Sequence, residues 1–407
     1  MRGFKSFLVE QKNTHMEHIE DLIFNEGVNG TRQAILFLRD LRDMLAGNSK
    51  SPISATVKWD GAPAVFCGID PRDGKFFVAK KGIFNKNPKV YKTPADVKAD
   101  TQGDLQTKLL LCLEHLPKLG IKSGVYQGDL MFTSSDLKKQ NIDGQKYVTF
   151  HPNTILYAVP EKASAEIRRA KVGIVFHTTY TGKSFETMRA SFGKNIASKF
   201  KQTPDVWAQD AIYKDLSGNA TFTDKETKQV TDILSKAGKL FNSMHAAALN
   251  DISNNPELLI RVKTFNNTLI RAGRRPNTAS LVNSLVKYIH DYYAKEADKR
   301  KTDKGKVAQK QKATEVLKYF TKHPKKHIQD VYELMYMLVD AKQIIINKMN
   351  RASNIGTFVR TRNGFKVTNQ EGYVAIDKLE GGAVKLVDRM EFSRMNFNDD
   401  VIKGWQK

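Results

Sequence analysis

Ile53-Ser54-Ala55-Thr56-Val57-Lys58-Trp59-Asp60-Gly61 is a short strand signal that ends on a lysine between apolar neighbours and runs into an Asp-Gly turn. A charged amine is costly to desolvate, so a lysine flanked by Val57 and Trp59 asks for a reason. Near other cations its pKa is expected to fall, which would make it a usable nucleophile at neutral pH. Gly61 lets the backbone turn tightly or approach a ligand where a side chain would collide. The competing reading is a surface lysine on an edge strand with an ordinary Asp-Gly turn.

On either side of this stretch the sequence pattern changes. Before it, residues 15–46 read as helix: Ile19, Leu22, Ile23, Ile35, Leu38, Leu41 and Leu45 recur at helical spacing, with Gly27 and Gly30 breaking the run. Asn48-Ser49-Lys50-Ser51-Pro52 closes it. After it come brief strand signals at 53–57, 64–67, 76–79, 147–150, 155–159 and 172–177, with one helix at 101–116. Between 186 and 350 helical stripes dominate, such as Leu258, Val262, Phe265 and Leu269, and prolines 204, 256, 276 and 324 punctuate them. Strand signals return at 356–359, 364–367, 372–376 and 383–387. The expected organisation is a helical segment at 1–50, a first core part at 51–185, a basic helical insertion at 186–350 and a second core part at 351–407. The fold class is α+β with an antiparallel core interrupted by the insertion. A pair of separate domains is the alternative.

Charge narrows the partners. Sixty-six Lys and Arg against 43 Asp and Glu give a formal +23, which attracts polyanions. Twelve of those cations, against four acidic residues, lie within 295–326. That segment reads as a nucleic-acid grip or as a solvated helix face, with 298–312 as a loop or frayed helix. Cys67 and Cys112 sit among apolar residues and read as buried free thiols. The start of the chain is not apolar enough for a signal peptide, and no run reaches the about 18 apolar residues of a membrane span. A cytosol-like location and no membrane role are expected. His15, His18, His115, His290, His323 and His327 lack a metal-binding spacing, and Trp207 and Trp405 read as packing residues.

Further polar groups are set into strands, where alternation separates inward from outward side chains. Phe76-Phe77-Val78-Ala79 runs into Lys80-Lys81-Gly82, suited to an anion. Tyr126-Gln127-Gly128-Asp129-Leu130 puts one carboxylate in an apolar strand, and Gly173-Ile174-Val175-Phe176-His177 follows. Glu371-Gly372-Tyr373-Val374-Ala375 opens a strand with an acid, and Val384-Lys385-Leu386-Val387-Asp388-Arg389 comes after it. Lysines to hold phosphate oxygens and carboxylates to hold a divalent metal make a charge-paired cleft.

In this order the motifs resemble those of the covalent nucleotidyltransferases, the polynucleotide ligases and mRNA-capping guanylyltransferases, an ATP-grasp-like fold. Lys58-Trp59-Asp60-Gly61 is similar to their Lys-x-Asp-Gly motif. The resemblance implies that Lys58 attacks the α-phosphate of ATP and carries the nucleotide, with Asp60 and Gly61 beside it. Lys80 would face phosphate, Asp129 would contact sugar or metal, and Phe176 would stack on the base. Glu371 would hold the catalytic metal, Mg²⁺ or Mn²⁺, and Lys385 would open the fifth motif. Glu371-Gly372-Tyr373-Val374-Ala375 is closest to the phage tRNA-repair type of RNA ligase, which implies RNA before DNA as partner and a host cytoplasm if phage-encoded. The oligomeric state stays open. Departures are Val387 for the usual second lysine, Asp129 for a glutamate, and Ala62-Pro63 after the first motif. With Val387, phosphate neutralisation would fall to Arg389, Lys80 or another cation. Glu380-Gly381-Gly382-Ala383-Val384-Lys385 also fits the fourth motif, but Glu371 leaves Lys385 at the expected distance and is preferred.

Overall fold

The computed structural model describes residues 16–47, 53–213, 221–352, 355–377 and 383–406. Helix α1 (Leu22–Leu45) leads into strands β1 (Ile53–Lys58), β2 (Ala64–Ile69) and β3 (Phe76–Ala79). Helices α2 (Pro94–Asp100) and α3 (Gly103–His115) precede β4 (Val125–Thr133), β5 (Lys138–Ile142), β6 (Gln145–Phe150) and β7 (Ile155–Pro160). A short α4 (Ala165–Arg169) precedes β8 (Val172–Thr181), β9 (Arg189–Phe192) and β10 (Val206–Asp210). The helical insertion comprises α5 (Asp224–Ser243), α6 (Ala246–Ser253), α7 (Pro256–Arg271), α8 (Thr278–Asp298), α9 (Asp303–Lys322) and α10 (Lys325–Met349). The chain closes with β11 (Gly356–Thr361), β12 (Gly364–Val367), β13 (Gly372–Asp377), β14 (Ala383–Leu386), α11 (Arg394–Asn396) and β15 (Val401–Ile402).

Insertion helices begin where the sequence supplies caps. Thr223 and Glu226 form a reciprocal capping box on α5, while Asn255, Asn277 and Thr302 accept from the first turns of α7, α8 and α9. The Thr302 cap also corrects the expectation of a loop over 298–312: only a short break separates α8 from α9. Likewise α1 is one helix kinked at Gly27, where φ is 55°, and it continues through Gly30.

Strands β10-β8-β4-β2-β3 form one sheet, with β9 on β8; only the β10–β8 pairing is parallel. Strands β12-β11-β7-β6-β5 form a second, with β15 on β11. The third is the small sheet β1-β13-β14. Strands from both ends of the insertion therefore pair: β11 with β7 and β13 with β1. The mixed α+β architecture and its large helical insertion are plain in this topology. Helices begin at Asp224 rather than 186, because β9 and β10 extend the β8 sheet first.

Helix α3 covers one face of the first sheet, burying Val65, Cys67, Leu109, Cys112, Ile174 and Phe176 together. Both cysteines are free and buried. A separate core joins α1 and the insertion to one face of the small sheet through Ala55, Tyr373, Ala375, Val384 and Leu386. Alternation then sends Lys58 and Lys385 to the other face. The insertion thus forms the backing on which this lysine-bearing sheet rests.

Candidate active site

Lys58 ends β1 directly opposite Gly372, so Glu371 enters the sheet beside the lysine. Close strand pairing here needs glycine, since a Cβ at position 372 would lie 2.4 Å from the Leu386 carbonyl oxygen. The Lys58 amine and the Glu371 carboxylate form an ion pair in which both side chains are largely enclosed. On the next strand Lys385 lies opposite Val374, which lies opposite Thr56. Lys385 is therefore on the Lys58 face, one diagonal step away. Its backbone N–H donates to the Glu17 carbonyl at 2.9 Å, which ties β14 to the segment before α1.

Asp60 is buried and held from three directions. Its carboxylate accepts from the Thr154 and Ile155 N–H groups at 2.7 Å each and from Asn153 Nδ2 at 2.8 Å. Its own N–H donates to the buried Tyr157 hydroxyl at 2.8 Å. Trp59 packs on Tyr157 and edge-on to Trp207, fixing the turn from the apolar side. Gly61 then passes against Asp129 of β4, and the Ala62 N–H donates to the Leu130 carbonyl at 3.0 Å. His177 Nε2 lies 3.8 Å from the Asp129 carboxylate.

Electrostatics follow from this crowding. Burial pushes the Lys58 amine down, but Glu371, Asp129 and Asp60 outweigh it and hold the pKa above the ordinary lysine range. This corrects the expectation of a lowered pKa: the charges that the fold brings closest to Lys58 are carboxylates rather than cations. Glu371 is pushed up to about 7 by burial, helped by Asp60 and Asp129 and opposed by Lys58. Asp60 is raised by burial despite its three donors. Lys385 is lowered by burial first, then by the Lys58 and Lys81 charges, against Glu371 and Glu17.

Lys58, Asp60, Gly61, Asp129, Glu371 and Lys385 are thus brought together. Three other expectations need correction. Phe176 is fully buried against Tyr126 and Phe200 on the α3 side of the sheet, so it is not available to stack on a ligand. Lys80 pairs with Asp100 at 3.3 Å. Arg389 is held by Asp21 at 3.0 Å and Glu20 at 3.6 Å, and it donates to Asn267 at 2.5 Å. Glu380 and His15 lie outside the described residues. Trp207 packs as expected against Phe132 and Phe150, whereas Trp405 is 66% exposed.

Lys81, not Lys80, is the cation of that pair whose charge reaches Lys385. Strand parity gave no signal here: β3 ends at Ala79, and Lys81 opens a short 3-10 helix through Phe84 that turns it away from the strand's phase. On β2, Phe66 is two residues from Ala64, which pairs with Asp129. Its ring meets Phe84 and Tyr180 at 5.3 and 5.8 Å, so these aromatics flank the Asp129 face. No helix among the described residues is long and apolar enough to cross a membrane.

A family model described as a family of unknown function, DUF6267, matches residues 13–401, nearly the whole chain. No curated protein and no solved structure matches it.

Proposed function

We propose that this chain, which belongs to the DUF6267 family of unknown function, is an ATP-dependent nucleotidyltransferase that carries AMP on Lys58 and joins nucleic-acid ends, RNA before DNA. The observation that carries the reading is the Lys58–Glu371 ion pair where β1 meets β13, with Asp60, Asp129 and Lys385 around it. A lysine paired with one carboxylate and flanked by two more at a strand end, with perturbed titration on both partners, is the kind of cluster that functional sites assemble.

In the proposed step the Lys58 amine gives a proton to Glu371, and its lone pair attacks the α-phosphorus of ATP. The new N–P bond forms as the bond from the α-phosphorus to the bridging oxygen breaks, and pyrophosphate leaves. Alignment and charge stabilisation carry most of the rate. Lys385 and Lys81, whose charges reach one another, would hold phosphate oxygens. Phe84, half-buried at the edge of the Phe66–Tyr180 cluster, takes the base-stacking place first expected of Phe176. Asp129 is a hard oxygen donor that suits Mg²⁺ or Mn²⁺, a cation that keeps several waters and needs few carboxylates. Glu371, first expected to hold that metal, is here the partner that takes the Lys58 proton. The ion would neutralise charge developing on the phosphates. AMP would then pass to a 5′-phosphate, and a 3′-hydroxyl would displace it to close the phosphodiester bond.

One set of observations favours a second reading. Val387 is buried and lies against Gly372, while Lys80 and Arg389 are engaged by carboxylates elsewhere. Fewer cations then remain for phosphate, as in a nucleic-acid-binding protein that kept this fold without its chemistry, or a transferase with another acceptor. Incubation with α-labelled ATP or GTP and Mg²⁺, followed by a denaturing gel, separates these readings. Label on the wild type that is lost in Lys58→Ala supports the transferase. An adduct without joining of RNA or DNA ends points to another acceptor. An unlabelled wild type, or label that survives Lys58→Ala, sinks the mechanism.

A further inference from the structure

Away from the Lys58 cleft, the joint between α9 and α10 gathers three imidazoles. His323 is the C-terminal cap residue of α9 and is 2% exposed. Pro324 turns the chain into α10, whose first turn carries His327, and His245 is the cap residue that opens α6. One ring nitrogen from each lies within 4.8 Å of the other two, a grouping of three His, Cys, Asp or Glu donors found nowhere else among the described residues.

Two details separate this cluster from a chance meeting of histidines. His327 Nδ1 is buried and has no hydrogen-bond partner, an arrangement that costs free energy unless something binds there. His323 Nε2 is held 2.7 Å from the Asp251 carboxylate, which also takes Lys322 at 2.6 Å. A carboxylate on the far nitrogen is the usual way to orient a metal-ligating imidazole and raise its basicity. With Nε2 so engaged, Nδ1 is the nitrogen His323 has to offer. The Lys322 charge opposes a cation, but Asp251 lies between and offsets it. His245 and His327 stack with centroids 4.8 Å apart and planes 10° apart. Zinc–nitrogen bonds of about 2.0–2.1 Å place ligand nitrogens roughly 3.4 Å from one another in a tetrahedron. Closing the site therefore requires the nitrogens to draw together from within 4.8 Å and the His245 ring to rotate out of its stack on His327, a movement that its exposed position allows.

We propose that His245, His323 and His327 bind one borderline transition cation of the Zn²⁺ class, with water in the fourth position. Neutral imidazoles suit Zn²⁺ and Co²⁺ and disfavour Mg²⁺, so this site and the carboxylate cleft take different metals. The ion ties the start of α6 to the α9–α10 joint, where the buried Tyr319 hydroxyl already donates to the Ala248 carbonyl at 2.8 Å. It thereby fastens the basic helix α9 to the helices beneath it.

The test uses the untagged full chain, stripped with chelator and dialysed against Zn²⁺. About one equivalent should remain per chain, and Co²⁺ in its place should show the visible bands of a tetrahedral nitrogen-rich site. Added Zn²⁺ should raise the melting temperature by several degrees. His245→Ala, at an exposed position, should fold normally and bind at least tenfold more weakly, and His245→Ala/His327→Ala should retain no ion. Glu371→Gln should keep the zinc. Absence of zinc above buffer level, retention in the double variant, or loss in Glu371→Gln overturns the proposal.

Discussion

Gly61 passes so close to β4 that a Cβ there would lie 2.6 Å from Asp129 Cβ and 3.0 Å from the Leu130 carbonyl oxygen. Both neighbours are backbone or backbone-adjacent, so neither can swing away as a long side chain would. Gly61→Ala should therefore push Asp129 out of place, at an overpacking cost of about 1–3 kcal/mol. The expected outcome is a folded protein with at least a tenfold slower adduct step, read by circular dichroism and α-labelled ATP; an unchanged rate would remove Asp129 from the site. Glu371 supports a prediction of opposite character, in pH rather than space. An acceptor for the Lys58 proton must be ionised, and Glu371 is held up at about 7. The competent fraction then falls about tenfold per unit below that point and levels off above it. Single-turnover adduct formation should show this inflection near pH 7 in the wild type. Glu371→Gln should abolish the inflection and slow the step by roughly 10²–10⁴-fold. The same inflection in the variant would assign it to another group.

At the scale of elements, the small sheet is held from behind by a buried charge network. Lys342 of α10, 1% exposed, donates to Glu20 at 2.8 Å and to the Val387 carbonyl at 2.9 Å. Arg389 completes the network through Asp21. Lys342→Met would leave Glu20 in the interior with Arg389, 3.6 Å away, as its remaining ion-pair partner among the described residues. Breaking one side of such a pair costs about 3–5 kcal/mol, whereas replacing both sides can be nearly neutral. Urea titration should show a large loss for Lys342→Met and substantial recovery in Glu20→Gln/Lys342→Met; equal losses would mean that packing, not charge, is at stake. Nothing near Lys342 in the sequence announces this role, because its partners are distant along the chain. By contrast β1, β4, β13 and β14 were legible as short, largely apolar runs with a single charged group set into or beside each: Lys58, Asp129, Glu371 and Lys385. Strand β5 was not, since Lys138-Lys139-Gln140-Asn141 is polar throughout and pairs only with β6. Phe176 shows a second limit. Alternation along β8 separates two faces without saying which one α3 will cover, and a register shift between Gln127 and Gly128 further obscures the match to β4. The polarity of the Lys58 pKa shift was hidden for a related reason, as Asp129 and Glu371 reach the lysine only through tertiary pairing.

Across the whole molecule, the formal charge of +23 is far more than the cleft needs. Helix α9 holds part of the excess outside it. Only Val316 and Tyr319 of that helix are buried, so it presents Lys304, Lys306, Lys310 and Lys312 to solvent around most of its circumference. Each phosphate neutralised by such a lysine releases condensed counterions, which makes affinity fall with salt; on single strands the slope of log K against log salt is about −0.7 per contact. If α9 grips the polymer while Lys58 performs the chemistry, the two functions separate by mutation. Replacing the four lysines with Gln keeps helix propensity and should leave adduct formation from ATP unchanged. It should also flatten the salt slope for single-stranded RNA by up to about 3 units and weaken end joining in proportion, most at low salt. Fluorescence anisotropy between roughly 50 and 200 mM salt, a range in which phosphate-dominated binding changes steeply, reads the slope directly. A slope equal in both proteins would strip α9 of its proposed role and leave its lysines a solvated face. Loss of the adduct along with binding would mean that the charge acts on the cleft itself, and that insertion and core do not divide the work.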